Sequence, residues 1–181
     1  MKIVFHLLVL GFASAGHLPG AAADSSAKSP LPTVKPDIAA ARTSVERAKI
    51  AAKDGNASAV ERELTPLIRA KPETAAWHME AAQRLVHVAD DLAREAQRQH
   101  VAALAQRALQ HLARADELAK DARVRAAGRT LAGFVHERYL GDAAAAIDHY
   151  EAARQLSPER TSAALFDGER LKRDEAARER R

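Results

Sequence analysis

The stretch GDAAAAIDHYEAARQLSP, Gly141 to Pro158, decides the fold. Gly141 is placed to end one helix and Asp142 to cap the next, and Ser157-Pro158 closes it. At about 100° per residue, Ala146, Ile147, Tyr150, Ala153 and Leu156 fall on one face. Small and large residues share that face, so the spacing predicts an amphipathic helix that packs closely on its neighbour, with Tyr150 as a large anchor.

The same spacing recurs upstream. Val60, Leu64, Leu67 and Ala70 copy four of the offsets, and the run from Gly55 to Pro72 equals in length that from Gly141 to Pro158. Ala108, Leu109, Leu112, Ala115 and Leu118 reproduce all five, without the flanking Gly and Pro. In its order of Gly-Asp turn, small residue, large apolar residue, aromatic, second Ala and terminal Pro, the last copy resembles the second helix of a tetratricopeptide repeat. The three starts, at residues 60, 108 and 146, are spaced more widely than the family's roughly 34 residues. The resemblance covers most of residues 36–158. It implies an all-α fold of stacked antiparallel helical hairpins, a tetratricopeptide-like α-solenoid of about seven helices. It also implies a scaffold for other proteins, whose groove is lined mainly by the first helix of each pair.

The rest of the chain sets bounds on this reading. Its 181 residues, 47% hydrophobic and 29% charged, suit one globular domain. Only 4% are aromatic, so Trp77, Phe134, Tyr139, Tyr150 and Phe166 are the candidate anchors in a core otherwise rich in alanine. The absence of cysteine excludes disulfides, thiolate metal sites, a Cys nucleophile and a lipoprotein anchor. The net charge of +4 is interspersed by sign, with no basic run interleaved with aromatics or glycines, which argues against a nucleic-acid surface.

At the N-terminus, Lys2, the apolar run IVFHLLVLGF, the breaker Pro19-Gly20 and the small residues Ala21-Ala22-Ala23 read as a secretory signal over residues 1–23. An earlier site after Ala13-Ser14-Ala15 satisfies the same small-residue requirement. The run is shorter than the roughly 20 residues a spanning helix needs, and no later segment spans, so the expected location is the periplasm, or full secretion. Residues 24–35, rich in Ser, Pro and Lys, read as a flexible linker; residues 36–168 as the repeat domain; residues 169–181, with six basic and four acidic residues, as a charged, fraying tail.

Helix positions follow from punctuation and phase. The first helix starts near Pro36-Asp37 and ends at Gly55, and Asn56 caps the second, which Pro66 kinks or stops near Leu64. Between Glu73 and Ala127 there is neither Gly nor Pro, yet Trp77, Ala81, Leu85, Val88, Leu92 and Ala96 lie opposite Val101, Leu104, Ala108, Leu112 and Ala115 on an ideal helix. That phase break predicts a turn near Gln97 to His100, between helices Glu73–Ala96 and Val101–Ala119. A single rod flanked on both sides, or a break capped by Asp90 or Asp91, are the alternatives at this level. The fifth helix, Asp121 to Leu140, has Val124, Ala127, Leu131, Phe134 and Val135 inward; a seventh starts at Ser157-Pro158, where Leu165 and Phe166 cover the last hairpin.

Chemistry is sparse. No P-loop, G-x-S-x-G or dinucleotide fingerprint occurs, so no catalytic residue and no cofactor is expected. His87 and Asp91 have the spacing of two metal ligands on one helix face but no third partner in sequence, and partly exposed histidines are the simpler account. What remains is the groove: Gln83, His87, Asp90 and Arg94 on the third helix, and Arg125, Arg129 and His136 on the fifth. These polar lines suit a protein or peptide partner, acidic or extended, which paired guanidiniums can grip. They are equally what the wet side of an amphipathic helix looks like. Self-association into a homo-oligomer and electrostatic attachment to an anionic envelope polymer are the alternative functions.

Overall fold

In a computed structural model, which describes residues 38–94, 98–158 and 162–180, the helix ends fall where local chemistry puts them. Helix α1, Ile38–Lys53, ends where Gly55 adopts φ 73°, a left-handed conformation that costs glycine little. Asn56 accepts the Ala59 N–H through its side chain and starts α2, Ala57–Leu64. Pro66 has no N–H to donate, and α2 gives way at Leu64 to a 3-10 turn, Thr65–Leu67. Then come α3, Ala75–Arg94; α4, Arg98–Leu118; and α5, Ala122–Val135, capped by Asp121. A π turn, His136–Leu140, leads to Gly141 at φ 67° and to Asp142, whose side chain accepts the Ala145 N–H at the start of α6, Ala143–Leu156. Helix α7 spans Ser162–Glu179. Seven α-helices and no strand are present among the described residues.

Contacts are densest within α1–α2, α3–α4 and α5–α6, and next between α4 and α5 and between α6 and α7, so successive helices fold back on one another as antiparallel hairpins that stack in chain order. Because α3 and α4 lie side by side, the chain from residue 75 to 118 is not one rod, as the opposed apolar phases require. No break occurs at Asp90 or Asp91, since α3 is continuous to Arg94. Helix α4 begins at Arg98, ahead of the expected Val101, and residues 95–97 of the expected turn lie outside the described residues.

Three details depart from the sequence pattern. Leu67 and Ala70 are not on α2: Leu67 sits in the 3-10 turn and Ala70 in the connection beyond it, so the first copy of the spacing is helical only through Val60 and Leu64. That connection is held from α3, where the Glu80 carboxylate accepts the Arg69 N–H (2.9 Å) and the Ala70 N–H (3.3 Å) while Arg84 donates to the Leu67 carbonyl (2.6 Å). On α5 the buried face is Ala126, Gly128, Ala132, Gly133 and Val135, and Ala127 is exposed. Small residues let α5 lie close to its neighbours, which rotates the helix away from the face that large side chains alone suggest. Helix α7 runs without a break past residue 168: Leu171 is buried, Arg170 pairs with Glu137, and Lys172 with Glu151, which draws the start of the charged tail onto the π turn and α6.

The main core joins Ala48 and Ala52 of α1, Val60 and Leu64 of α2, Leu85, Val88 and Leu92 of α3, and Val101, Leu104, Ala108 and Leu112 of α4. A second, smaller cluster holds Ala146, Ile147 and Tyr150 with Leu171. Residues 1–37, with the expected signal and linker, lie outside the described residues, as do the side chains of Leu165 and Phe166. No described helix is long and apolar enough to cross a membrane.

Candidate functional site

The stripe Ala81, Leu85, Val88 and Leu92 buries one side of α3, which turns Gln83, His87 and Arg94 outward; all three are exposed. Asp90 is half-buried beside Tyr139 of the π turn, and Arg94 lies one turn on, 3.8 Å from the Asp90 carboxylate and 3.7 Å from that of Asp91. Burial, reinforced by the Asp90 carboxylate, pushes the Tyr139 hydroxyl well above the usual phenol range, so it remains a donor. Asp91 is also paired with Lys49 of α1 at 3.0 Å. The i, i+4 partner of His87 is therefore committed to an ion pair between helices. Among the described residues no group of three or more His, Cys, Asp or Glu side chains is placed to hold a metal ion.

Arg125 and Arg129 of α5 are engaged with α4. Both reach Asp116 of α4: Arg125 Nε stands 3.3 Å from Oδ1, and an Nη of Arg129 donates to Oδ2. The carboxylate is largely covered, so the pair of guanidiniums ties α5 to α4 and is only partly available to a ligand. The ring of His136 stacks on that of His149 with centroids 5.2 Å apart, and its Nδ1 lies 3.6 Å from Asp142. Burial, with His136 and Arg129 nearby, holds His149 below the ordinary imidazole range. The seven groove residues thus divide into a line on α3 that is exposed except at Asp90, and a set on α5 and the π turn that is tied to α4 and α6.

A third constellation was not singled out from the sequence. His78 and His111, 7% and 8% exposed, meet in the interior with their Nδ1 atoms 3.0 Å apart. His111 Nε2 is 3.2 Å from Glu61 of α2, whose other oxygen takes Arg107 of α4. Trp77 sets its ring edge-on to both imidazoles, with centroids at 4.9 and 5.6 Å. The reading of the histidines as partly exposed holds for His87 and fails for these two. The signal was register: His78 is one heptad before Leu85, and His111 one heptad after Leu104, so both belong to buried stripes. Beside this cluster, Ser58, Glu61, Arg62, Thr65, Pro66 and Arg107 line an open cleft between α2 and α4.

No protein-family model matches the chain, and no curated protein matches it in sequence.

Proposed function

We propose that this chain is a non-catalytic adaptor of an exported bacterial assembly, built on tetratricopeptide-like hairpins, that holds a protein or peptide partner along α3. The observation that supports this reading is the line Gln83, His87 and Arg94, which stays exposed on a helix whose opposite stripe is packed in the main core. A helix held in this way presents donors and acceptors at fixed positions, so little ordering entropy is lost when an extended segment lies across it. Arg94 has Asp90 and Asp91 beside it, so the line offers hydrogen bonds to an extended segment, and the positive charge left over lies on Arg125 and Arg129 after Asp116 is counted. The leader at residues 1–23 supports export, with Asp24 as the first residue of the mature protein.

A photo-crosslinking residue placed at Gln83 or His87 tests the assignment. One polypeptide should be captured in the exported fraction from both positions and not from Arg178 on α7. Capture from Arg178 alone would favour attachment through diffuse charge, and a product of twice the chain's own mass would favour self-association. N-terminal sequencing of exported protein checks the leader, which retention of Met1 would contradict.

A further inference from the structure

The contact between His78 and His111 admits one hydrogen. Their ring centroids are 5.2 Å apart and the facing Nδ1 atoms 3.0 Å apart, so the two nitrogens point at each other nearly head-on, with no room for an ion between them. Glu61 settles the tautomers. Its carboxylate can only accept, so the neutral His111 carries its proton on Nε2 and offers the Nδ1 lone pair; His78 then supplies the bridging N–H from its own Nδ1. This leaves His78 Nε2 as a buried lone pair without a hydrogen-bond partner, 3.8 Å from Glu73. One added proton fits: Nε2 takes it and becomes a donor towards Glu73 while Nδ1 keeps the bridge to His111. A second added proton does not fit, because two N–H groups would then oppose each other at 3.0 Å.

We infer that Glu61, His111 and His78 form a proton-operated catch that clasps α2 to the α3–α4 hairpin and releases it when both imidazoles become charged. The groups facing the pair come from each element around it: Glu61 of α2, Glu73 just ahead of α3 and Trp77 in its first turn, and Arg107 of α4. Solvent reaches the chain at Glu61, through the cleft that this residue and Arg107 line. Burial holds His111 below the ordinary imidazole range, and His78 and Arg107 act in the same sense against Glu61. The sign follows from proton counting. Below pH 6.5 an unfolded chain protonates His111, whereas the closed catch cannot hold two N–H groups opposed at 3.0 Å; stability from the catch is therefore complete above that pH and is lost as pH falls through and below it. The closing equilibrium should fall by up to about tenfold per pH unit for each proton excluded.

Nitrogen NMR of the histidine rings and amide exchange in α2 test the catch on the whole chain. At pH 8, His78 should carry its proton on Nδ1 and His111 on Nε2; a proton on His78 Nε2 at that pH would overturn the assignment. Between pH 7.5 and 5, the protection factors of the Val60 and Leu64 amides should drop by more than tenfold. His78→Asn keeps a donor towards His111 Nδ1 and can turn its carbonyl to a charged His111, so its α2 protection should fall with acid by clearly less than that of the wild type, the part due to the burial of His111 remaining. The same acid loss in His78→Asn, or no loss in the wild type, would show that the junction does not respond to these two rings.

Discussion

A Cβ added at Gly133 would lie 2.7 Å from Cε1 and 2.8 Å from Cδ1 of Tyr150, closer than a side-chain carbon and a ring can stand. Glycine is therefore the residue that lets α5 lie against the ring. Gly133→Ala gains about 1 kcal/mol of helix propensity. It should lose about 1 to 3 kcal/mol to overpacking, because Tyr150 is 2% exposed and cannot move aside freely. Urea melts should show a net loss in the wild type and a gain when the same change is made in Tyr150→Ala. Tyr150→Ala itself should cost about 3 to 5 kcal/mol, as a large buried side chain does. Tyr139→Ala should cost less, since Tyr139 is only half-buried, edge-on to Phe134 and 3.4 Å from the Val86 carbonyl. The stripe Ala146, Ile147, Tyr150 and Ala153 was legible in the sequence because each residue keeps to one face of one uninterrupted helix. The pairing of His78 with His111 was not, because their meeting depends on how α3 and α4 lie together, although the burial of each was readable from its heptad.

Elements began and ended where their own residues could say so. Gly55, Asn56, Gly141 and Asp142 act through bonds within a few residues, and Pro66 through the N–H it lacks, so these limits were readable without a partner helix. The π turn at His136–Leu140 and the 3-10 turn at Thr65–Leu67 were not, since each is shaped by contacts from other elements, Tyr139 with Val86 and Leu67 with Arg84. The helix-five arginines show the same limit. Read from the sequence, Arg125 and Arg129 line an open face, and replacing both should leave the fold intact. With Asp116 largely covered between them, Arg125→Gln with Arg129→Gln should instead destabilise by about 1 to 3 kcal/mol, the cost of leaving a buried charged group poorly satisfied. Adding Asp116→Asn should recover much of the loss, a coupling that a double-mutant cycle in denaturant measures.

At the scale of the molecule, most of the buried large side chains among the described residues lie in α1 to α4, and the second cluster is small. Stability in a stack of hairpins is a sum of local and neighbouring terms, so opening should start at the α6–α7 end. Hydrogen exchange should find the α7 amides least protected and those of Leu85, Leu104 and Leu112 most protected. The acid response should have two limbs. His111 and His149 are both held low, chiefly by burial, so they contribute stability that is complete above pH 6.5 and is lost as pH falls below it. For Glu80, burial works to raise the carboxyl, but the bonds from Arg84, Arg69 and Ala70 together hold it low; its contribution is present above pH 4.5 and is lost below it. Melting temperature followed from pH 8 to 3 should fall in these two steps, and His149→Gln should shrink only the first. The placement of Trp77 also makes the molecule its own optical instrument. Trp77 is the only tryptophan of the chain, and it touches both interior imidazoles. A charged imidazole quenches indole emission by accepting excited-state electron density, so the intensity of this one fluorophore, read without any added dye, reports the charge at the junction of three helices.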